Sequence, residues 1–141
     1  PTERGTHMAS RNFTAVQLTA TKGVVSVYFS AAFAGASNPT LGTGAGNVGV
    51  KSMTRSGTGA FTLTFGTPSG IADTYMALLG ASVVIEGASP NAPIMHVVSS
   101  ASIDTTGVVT LQFLDYAGAA ADPGSDEVGL FRFDLRNSTA I

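Results

Sequence analysis

Cysteine and tryptophan are both missing from this chain of 141 residues, and charged residues are scarce at 11%. Without cysteine, the chain can form neither a disulfide framework nor a thiolate metal site. An ordinary soluble domain carries about 25% charged residues, so much of this surface must be neutral. Serine, threonine, asparagine and glycine could cover it in a solitary β protein. The interpretation we favour is that neighbouring subunits cover part of it, because interface cores are depleted in charge.

The few charges do not form a basic face. Seven basic residues are outnumbered by nine acidic ones, giving a net charge of −2. The closest approach to a basic cluster, Arg132 and Arg136, has Asp134 between its members, whereas nucleic-acid binders cluster their basic residues. No apolar run approaches the ~20 residues of a membrane span, and the start lacks the apolar stretch of a signal peptide. We therefore expect a soluble protein made in a cytoplasm, with neither nucleic acid nor membrane among its partners.

Short apolar runs separated by frequent turn signals are typical of an all-β protein. They predict strands at 24–33, 48–55, 60–65, 81–86, 94–103, 108–114 and 128–136. The last run alternates most clearly: Phe131, Phe133 and Leu135 point one way, and Arg132, Asp134 and Arg136 the other. About seven such strands indicate an antiparallel β-sandwich or a partly open barrel. The length suits one domain, which we assign to residues 13–141.

The stretches between these strands complete the prediction. Residues 35–49 are rich in small residues and predict a long loop. Residues 71–79 are the only segment that could form a short helical turn. Residues 1–12 lack an apolar period, which predicts a flexible N-terminal arm. Its first seven residues are similar to the remnant of a cleaved affinity tag, and Met8 is then the natural start.

Motifs that could carry chemistry are weak. Residues 44–49 match G-x-G-x-x-G, but a loop precedes the match and a β-like run follows it, whereas a dinucleotide site needs a strand before and a helix after. His96 stands in a strand pattern with no second ligand nearby in sequence, so we interpret it as a partly buried or interface histidine. We therefore predict no cofactor and no metal.

Most of the carboxylate side chains lie at predicted turns. Asp104, Asp115, Asp122, Asp126 and Glu127 all fall in or beside predicted turns, where Asp is expected for backbone reasons. A glycosidase would need two carboxyl groups facing each other across the substrate, and calcium would need several oxygen ligands from 122–127. Neither pattern is specific here, so we predict no catalytic residues and interpret 122–127 as a solvated loop.

Three stretches carry a family resemblance. They are Met8-Ala9-Ser10-Arg11-Asn12-Phe13 at the start, the hairpin Ser52-Met53-Thr54-Arg55-Ser56-Gly57-Thr58-Gly59-Ala60-Phe61-Thr62-Leu63-Thr64-Phe65 in the middle, and Phe131-Arg132-Phe133-Asp134-Leu135-Arg136-Asn137-Ser138-Thr139 at the end. Together they resemble a family of small structural proteins of tailed bacteriophages, which begin M-A-S-R-N-F, carry an R-x-G-x-G-x-[YF]-T-[LV]-T hairpin and end in [RK]-N-[ST]. The likeness covers most of the chain from Met8 and is weakest at 34–49. It implies a virion component and supplies no catalytic residues.

The resemblance and the scarce charge together predict a capsid decoration, or cement, protein. Such a protein would form a homo-oligomer, favoured as a trimer, and bind the major capsid protein on the virion surface. We expect the contacts at both termini: Arg11, Asn12, Phe13, Arg136, Asn137, Ser138 and Ile141. A tail, fibre or baseplate component that contacts the host receptor is the alternative. A small carbohydrate-active enzyme is a third and weaker one.

Overall fold

Alternating apolar and polar side chains form nine strands in residues 23–68, 70–87 and 92–137, the part of the chain that the computed structural model describes. They are β1 (Val24–Ala34), β2 (Ser37–Leu41), β3 (Asn47–Val48), β4 (Val50–Gly57), β5 (Ala60–Phe65), β6 (Ala77–Glu86), β7 (Ile94–Ser99), β8 (Val108–Leu114) and β9 (Val128–Arg136). Sheet A has the order β2-β1-β9-β6, with β3 also paired to β1, and sheet B has the order β4-β5-β8-β7. The two antiparallel sheets pack as a sandwich, which confirms the first of the two predicted architectures.

The period of two decides which side chains enter the space between the sheets. On β9, Phe131, Phe133 and Leu135 are buried, as their alternation predicts. Strand β5 repeats the pattern with Phe61, Leu63 and Phe65. Because β1 and β9 in sheet A and β5 and β8 in sheet B bury every second side chain over most of their length, each sheet contributes one apolar face to a single core.

Phenylalanines join the two sheets in that core. Phe33 of sheet A packs edge-on against Phe61 and Phe113 of sheet B, with ring centroids 5.7 and 5.6 Å apart. Phe61 and Phe113 form a third edge-on pair at 5.6 Å. Such pairs contribute about 0.5–1.5 kcal/mol beyond the burial of their surface. The middle of the sandwich is therefore filled by rings from both sheets.

The chain passes from sheet A to sheet B at Gly49. The side chain of the buried Asn47 closes this turn: its Nδ2 donates to Val50 O and its Oδ1 accepts from Val50 N, both at 3.0 Å. Gly49 has φ +98, and an added Cβ there would lie 3.0 Å from a methyl group of Val27. A side chain at this position would therefore meet both backbone strain and a crowded core.

The prediction of a loop over 35–49 is wrong in part, because β2 and β3 lie within it. Both are short and pair with the same edge of β1. Their backbone hydrogen bonds need no apolar period, which is why the sequence pattern does not reveal them. Pro39 fits β2 because an edge strand tolerates a residue without an N–H group. With these two additions the described residues hold nine strands rather than about seven.

The helical turn predicted at 71–79 is also wrong. Its backbone donors bind neighbouring chain segments instead: Asp73 N donates to Phe65 O at 2.9 Å, and Tyr75 N donates to Ile103 O at 3.0 Å. Strand β6 then begins at Ala77. Within the described ranges, the single helical element is a 3-10 turn at Gly44–Gly46. Strand β7 ends at Ser99, earlier than predicted, although Ile103 remains buried in the turn that follows.

Candidate functional site

The predicted contact residues fall partly inside the described structure. Arg136 and Asn137 are described, whereas Arg11, Asn12, Phe13, Ser138 and Ile141 lie outside the described residues. Arg136 O accepts a hydrogen bond from Met76 N, and Asn137 N donates to Gly23 O, both at 2.6 Å. The backbone at the end of β9 is therefore hydrogen-bonded to neighbouring segments, whereas Asn137 is exposed and Arg136 is half-buried.

The glycine-rich stretch 44–49 does not have the geometry of a dinucleotide site. Gly44–Gly46 form the 3-10 turn, and Asn47–Val48 and Val50–Gly57 are strands. No helix follows whose N-terminus could hold a pyrophosphate. In this stretch the glycines form the 3-10 turn and allow the chain to cross from sheet A to sheet B.

The polar residues singled out for chemistry lie apart. His96 is exposed on the outer side of β7, opposite Gln112. Asp104 precedes β8 and Asp115 follows it, so the seven residues of the strand separate them by roughly 23 Å at ~3.3 Å per residue. Asp115 Oδ1 caps its own turn by accepting from Ala117 N and Ala119 N, both at 2.9 Å. The distance between Asp104 and Asp115 exceeds the carboxyl spacing that glycosidases use.

The acidic stretch 122–127 is used for structure. Both oxygens of Asp122 bind the Arg55 guanidinium at 2.9 and 2.8 Å, and this hydrogen bonding lowers the pKa of the Asp122 carboxyl. Glu127 is buried and its Oε1 accepts from Gly124 N at 2.8 Å, whereas Asp126 is exposed. Among the described residues, no three His, Asp or Glu side chains come together as a metal site would require.

Two surfaces with exposed apolar side chains stand out instead, and the first is one side of the sandwich. Strands β6 and β7 are the edges of their sheets on that side, with a gap of about 410 Å³ between them. The gap is lined by Ala81, Ser82, Val83, Ile85, Ala92, Pro93, Ile94 and Met95. Ala81 and Val97 lie opposite the buried Phe133 and Leu111, so they face inward. Ala81 is nevertheless exposed and Val97 is 37% exposed. We call this surface the open side.

The opposite side of the sandwich is closed. There Arg55 N of β4 donates to Asn38 Oδ1 of β2 at 2.9 Å. The inward-facing Val50 and Met53 of β4 are 0% and 3% exposed. Pro39 and the charges of Lys51 and Arg55 also protect these two edge strands against pairing with another chain. Strands β6 and β7 carry one carboxylate, Glu86, and one histidine between them.

The second surface is the outer face of sheet A, which we define by Tyr28, Val48, Val84, Leu130 and Arg132. The first four are between 47% and 66% exposed. Tyr28 pairs with Val48 on one side and Arg132 on the other, and Leu130 pairs with Val84. A shallow groove of about 230 Å³ runs between Tyr28, Leu130 and the 3-10 turn. Because cross-strand neighbours share a face, these apolar side chains form one patch.

A small polar network borders this patch. Arg132 lies over the Tyr28 ring, 5.5 Å from its centroid, and its Nε donates to Asp134 Oδ1 at 3.2 Å. Ser26 Oγ donates to the same oxygen at 2.7 Å. The hydrogen bond from Ser26, followed by that from Arg132, lowers the pKa of Asp134. The two charges compensate each other, so the outer face remains nearly neutral.

Searches for related proteins returned no matching family model, curated protein or solved structure. In the described part of the chain, no helix is both long and apolar enough to cross a membrane. The function is therefore inferred from these two surfaces. Sequence reasoning anticipated a neutral surface but placed the contacts at the termini. The sequence feature that indicates the open side is the pair of uncharged runs 77–85 and Ile94–Ser99.

Proposed function

We propose that the chain is a structural component of a tailed-bacteriophage virion, and within it a capsid decoration protein. Copies would form a homo-oligomer, favoured as a trimer, on the major capsid protein at the virion surface. They would add contacts that help the shell to resist the pressure of packaged DNA. In this proposal the chain is a building block and not an enzyme.

The outer face of sheet A is the observation that carries the proposal. Val48 and Leu130 are about half exposed, and Tyr28 stands between them in the sheet. A rigid sheet face that carries an apolar patch with an aromatic residue suits a contact between proteins, because interface cores are depleted in charge and enriched in aromatic residues. The rigid sheet also limits the entropy lost on docking.

In this proposal, tight binding comes from several copies that bind the capsid lattice at once. An isolated contact through the four apolar side chains of the outer face would bind weakly, since stable interfaces use about 20–30 residues on each partner. When several copies in one oligomer bind a repeating lattice, each later contact is intramolecular and the combined binding is much tighter. The scarcity of charge, 11% of the chain, fits a molecule whose surface is shared among several neighbours.

Co-sedimentation with capsids tests the proposal. Purified protein is mixed with capsids that lack it, in physiological salt, and the bound fraction is measured. We expect saturable binding with a fixed number of copies per capsid, and light scattering should give the mass of an oligomer. No binding at micromolar protein, together with a monomeric mass, would overturn the proposal.

A tail, fibre or baseplate component is the second candidate. Tyr116, in the connection between β8 and β9, is 75% exposed, and exposed aromatics on loops suit stacking against sugars. Antibody labelling of virions separates the two functions, because a decoration protein labels the head and a receptor-binding protein labels the tail.

A further inference from the structure

We propose that the open side between β6 and β7 is the docking site for the chain's own residues 11–18, which would add a strand to the free edge of β6. Within the described residues, β6 pairs only with β9, although it is ten residues long. Nine of these ten residues are uncharged and none is proline. Edge strands that remain exposed are normally protected by charge, proline or bulges, because they pair readily with other chains.

The irregularities on this side leave most of the edge usable. The register shift of β6 lies between Leu78 and Gly80, near its start, and that of β7 lies between Val97 and Ser99, near its end. Residues 80–86 form a regular ladder with β9. A partner strand could therefore follow most of β6 without interruption.

The length of chain before Gly23 fits this site. Strands β1 and β6 run in the same direction, and Val24 and Ala77 both lie opposite Arg136. Gly23 is thus at the end of the sandwich where β6 begins. A strand added beyond β6 would be three interstrand spacings from β1, roughly 14 Å. The five steps from Leu18 to Gly23 span up to about 17 Å, so residues 11–18 can run antiparallel to β6.

Charge complementarity points to the same occupant. Residues 1–22 contain three basic and one acidic side chain, a net charge of +2, whereas the rest of the chain has a net charge of −4. Running antiparallel, the segment places Arg11 at the end of the sandwich that carries Glu86 and Asp126. It leaves Lys22 near the other end, where Asp73 and Asp104 are exposed. Opposite charges would therefore meet at the Glu86 end, whereas the other end carries Arg136 as well as Asp73 and Asp104.

The side-chain pattern of the segment suits a strand with one buried face. Residues 12–21 contain no charge, no proline and no glycine. Val16 and Leu18 share one face, and Phe13 and Ala15 share the other. We place Val16 and Leu18 toward the gap, where they would cover the inward-facing edge residues. Phe13 then faces the outer rim of β6 beside Val84.

Photo-crosslinking tests this docking in the full chain. The photoreactive residue p-benzoylphenylalanine replaces Phe13 in one variant and Val16 in another, and cross-linked peptides are identified by mass spectrometry. We expect position 13 to react with residues 82–86 and position 16 with residues 94–97. A third variant with the probe at the exposed Tyr116 is the control and should react with neither set. Reaction of positions 13 and 16 with the closed side, with the outer face of another copy, or with nothing would overturn the proposal.

Hydrogen exchange gives a second test that does not depend on the probes. Lysine replaces Ala81, which faces the gap, or Thr54, which is exposed on the outer face of β4 and serves as a control away from the open side. Amides of residues 80–86 should exchange at least tenfold faster in Ala81→Lys than in Thr54→Lys, with both variants folded by circular dichroism. Equal exchange in the two folded variants would contradict docking at this edge.

The proposal stands independently of the virion function. Cross-links within one copy would support docking and would remove the open side from the contacts between copies. Cross-links between copies would support an exchanged form, in which each copy gives its segment to a neighbour. Failure of capsid binding would leave either result unchanged.

Discussion

Arg55 and Asp122 form a bidentate ion pair: Arg55 Nε lies 2.9 Å from Asp122 Oδ1, and Nη2 lies 2.8 Å from Oδ2. Asp122 Oδ1 also accepts a hydrogen bond from Gly59 N at 2.7 Å. One carboxylate therefore joins edge strand β4, the turn between β4 and β5, and the connection between β8 and β9. Planar pairs of this kind fix geometry as well as adding attraction.

Asp122→Asn should weaken this junction and reduce the loss of stability in acid. Because Arg55 lowers the pKa of Asp122, the pair stabilises the fold fully above the ordinary Asp value of 3.8. That contribution is lost as the pH falls through the lowered native pKa. We expect a thermal midpoint about 5 °C lower at pH 7, and a shallower decline of the urea midpoint between pH 5 and pH 2.

Asp126→Asn is the matched control for this prediction, because Asp126 is an exposed carboxyl in the same connection. It removes the same charge without touching Arg55 and should behave as the parent chain does. If the parent and Asp122→Asn lose stability with the same slope in acid, the ion pair does not act as described.

Gly49→Ala should destabilise the passage between the sheets. The new Cβ would meet Val27 at 3.0 Å and the backbone would keep φ +98, at a cost of about 1–3 kcal/mol. Gly80→Ala is the comparison, since nothing lies within 4 Å of its added Cβ, and it should change stability by less than about 0.5 kcal/mol. Urea unfolding of both variants gives the two free energies, and equal values would contradict the role of Gly49.

Phe113→Ala should remove about 3–5 kcal/mol of stability, because it empties the place where Phe33 and Phe61 meet an aromatic ring from β8. Phe113→Leu keeps most of the volume and loses only the edge-on pairing, so its loss should be clearly smaller. Equilibrium unfolding in urea measures both. A loss as large for Leu as for Ala would mean that ring geometry, and not volume, dominates the core.

Glu127→Ala should destabilise the fold more than Glu127→Gln. The Glu127 side chain is buried, and its Oε1 accepts from Gly124 N at 2.8 Å, while Oε2 has no hydrogen-bond partner among the described residues. Gln keeps the acceptor, whereas Ala leaves the Gly124 N–H unsatisfied at a cost of about 1–3 kcal/mol. Thermal unfolding at neutral pH compares the two variants, and the reverse order would show that the acceptor is not needed.

Leu130→Lys and Val48→Lys should abolish binding to capsids while leaving the fold intact. Both side chains are about half exposed on the outer face of sheet A, so a lysine there costs little stability. In a docked interface the same charge would be desolvated, and we expect at least a tenfold loss of affinity in co-sedimentation. Thr54→Lys, on the outer face of β4, should bind normally; unchanged binding of the first two variants would exclude this face as the contact.

The strands that alternate strongly could be predicted from the sequence, and they are found. Strands β5 and β9 bury every second side chain, so their faces follow directly from the residues. Strands β2 and β3 were not predicted, because they are defined by pairing with β1 and not by their own side chains. The helical turn predicted at 71–79 is wrong, because the backbone donors at 73, 75 and 76 bind Phe65, Ile103 and Arg136, which lie outside the segment.

The candidate site, like the fold, could be predicted from the sequence only in part. Composition alone determined that the surface is short of charge and that thiolate chemistry is impossible. Only the tertiary structure decided where the neutral surface lies: on the outer face of sheet A, and on the side where the inward-facing Ala81 and Val97 are left partly uncovered. The reason is physical. A period of two assigns each residue to a face of its own strand, but whether that face is covered depends on which strands become neighbours, and long-range pairing fixes that.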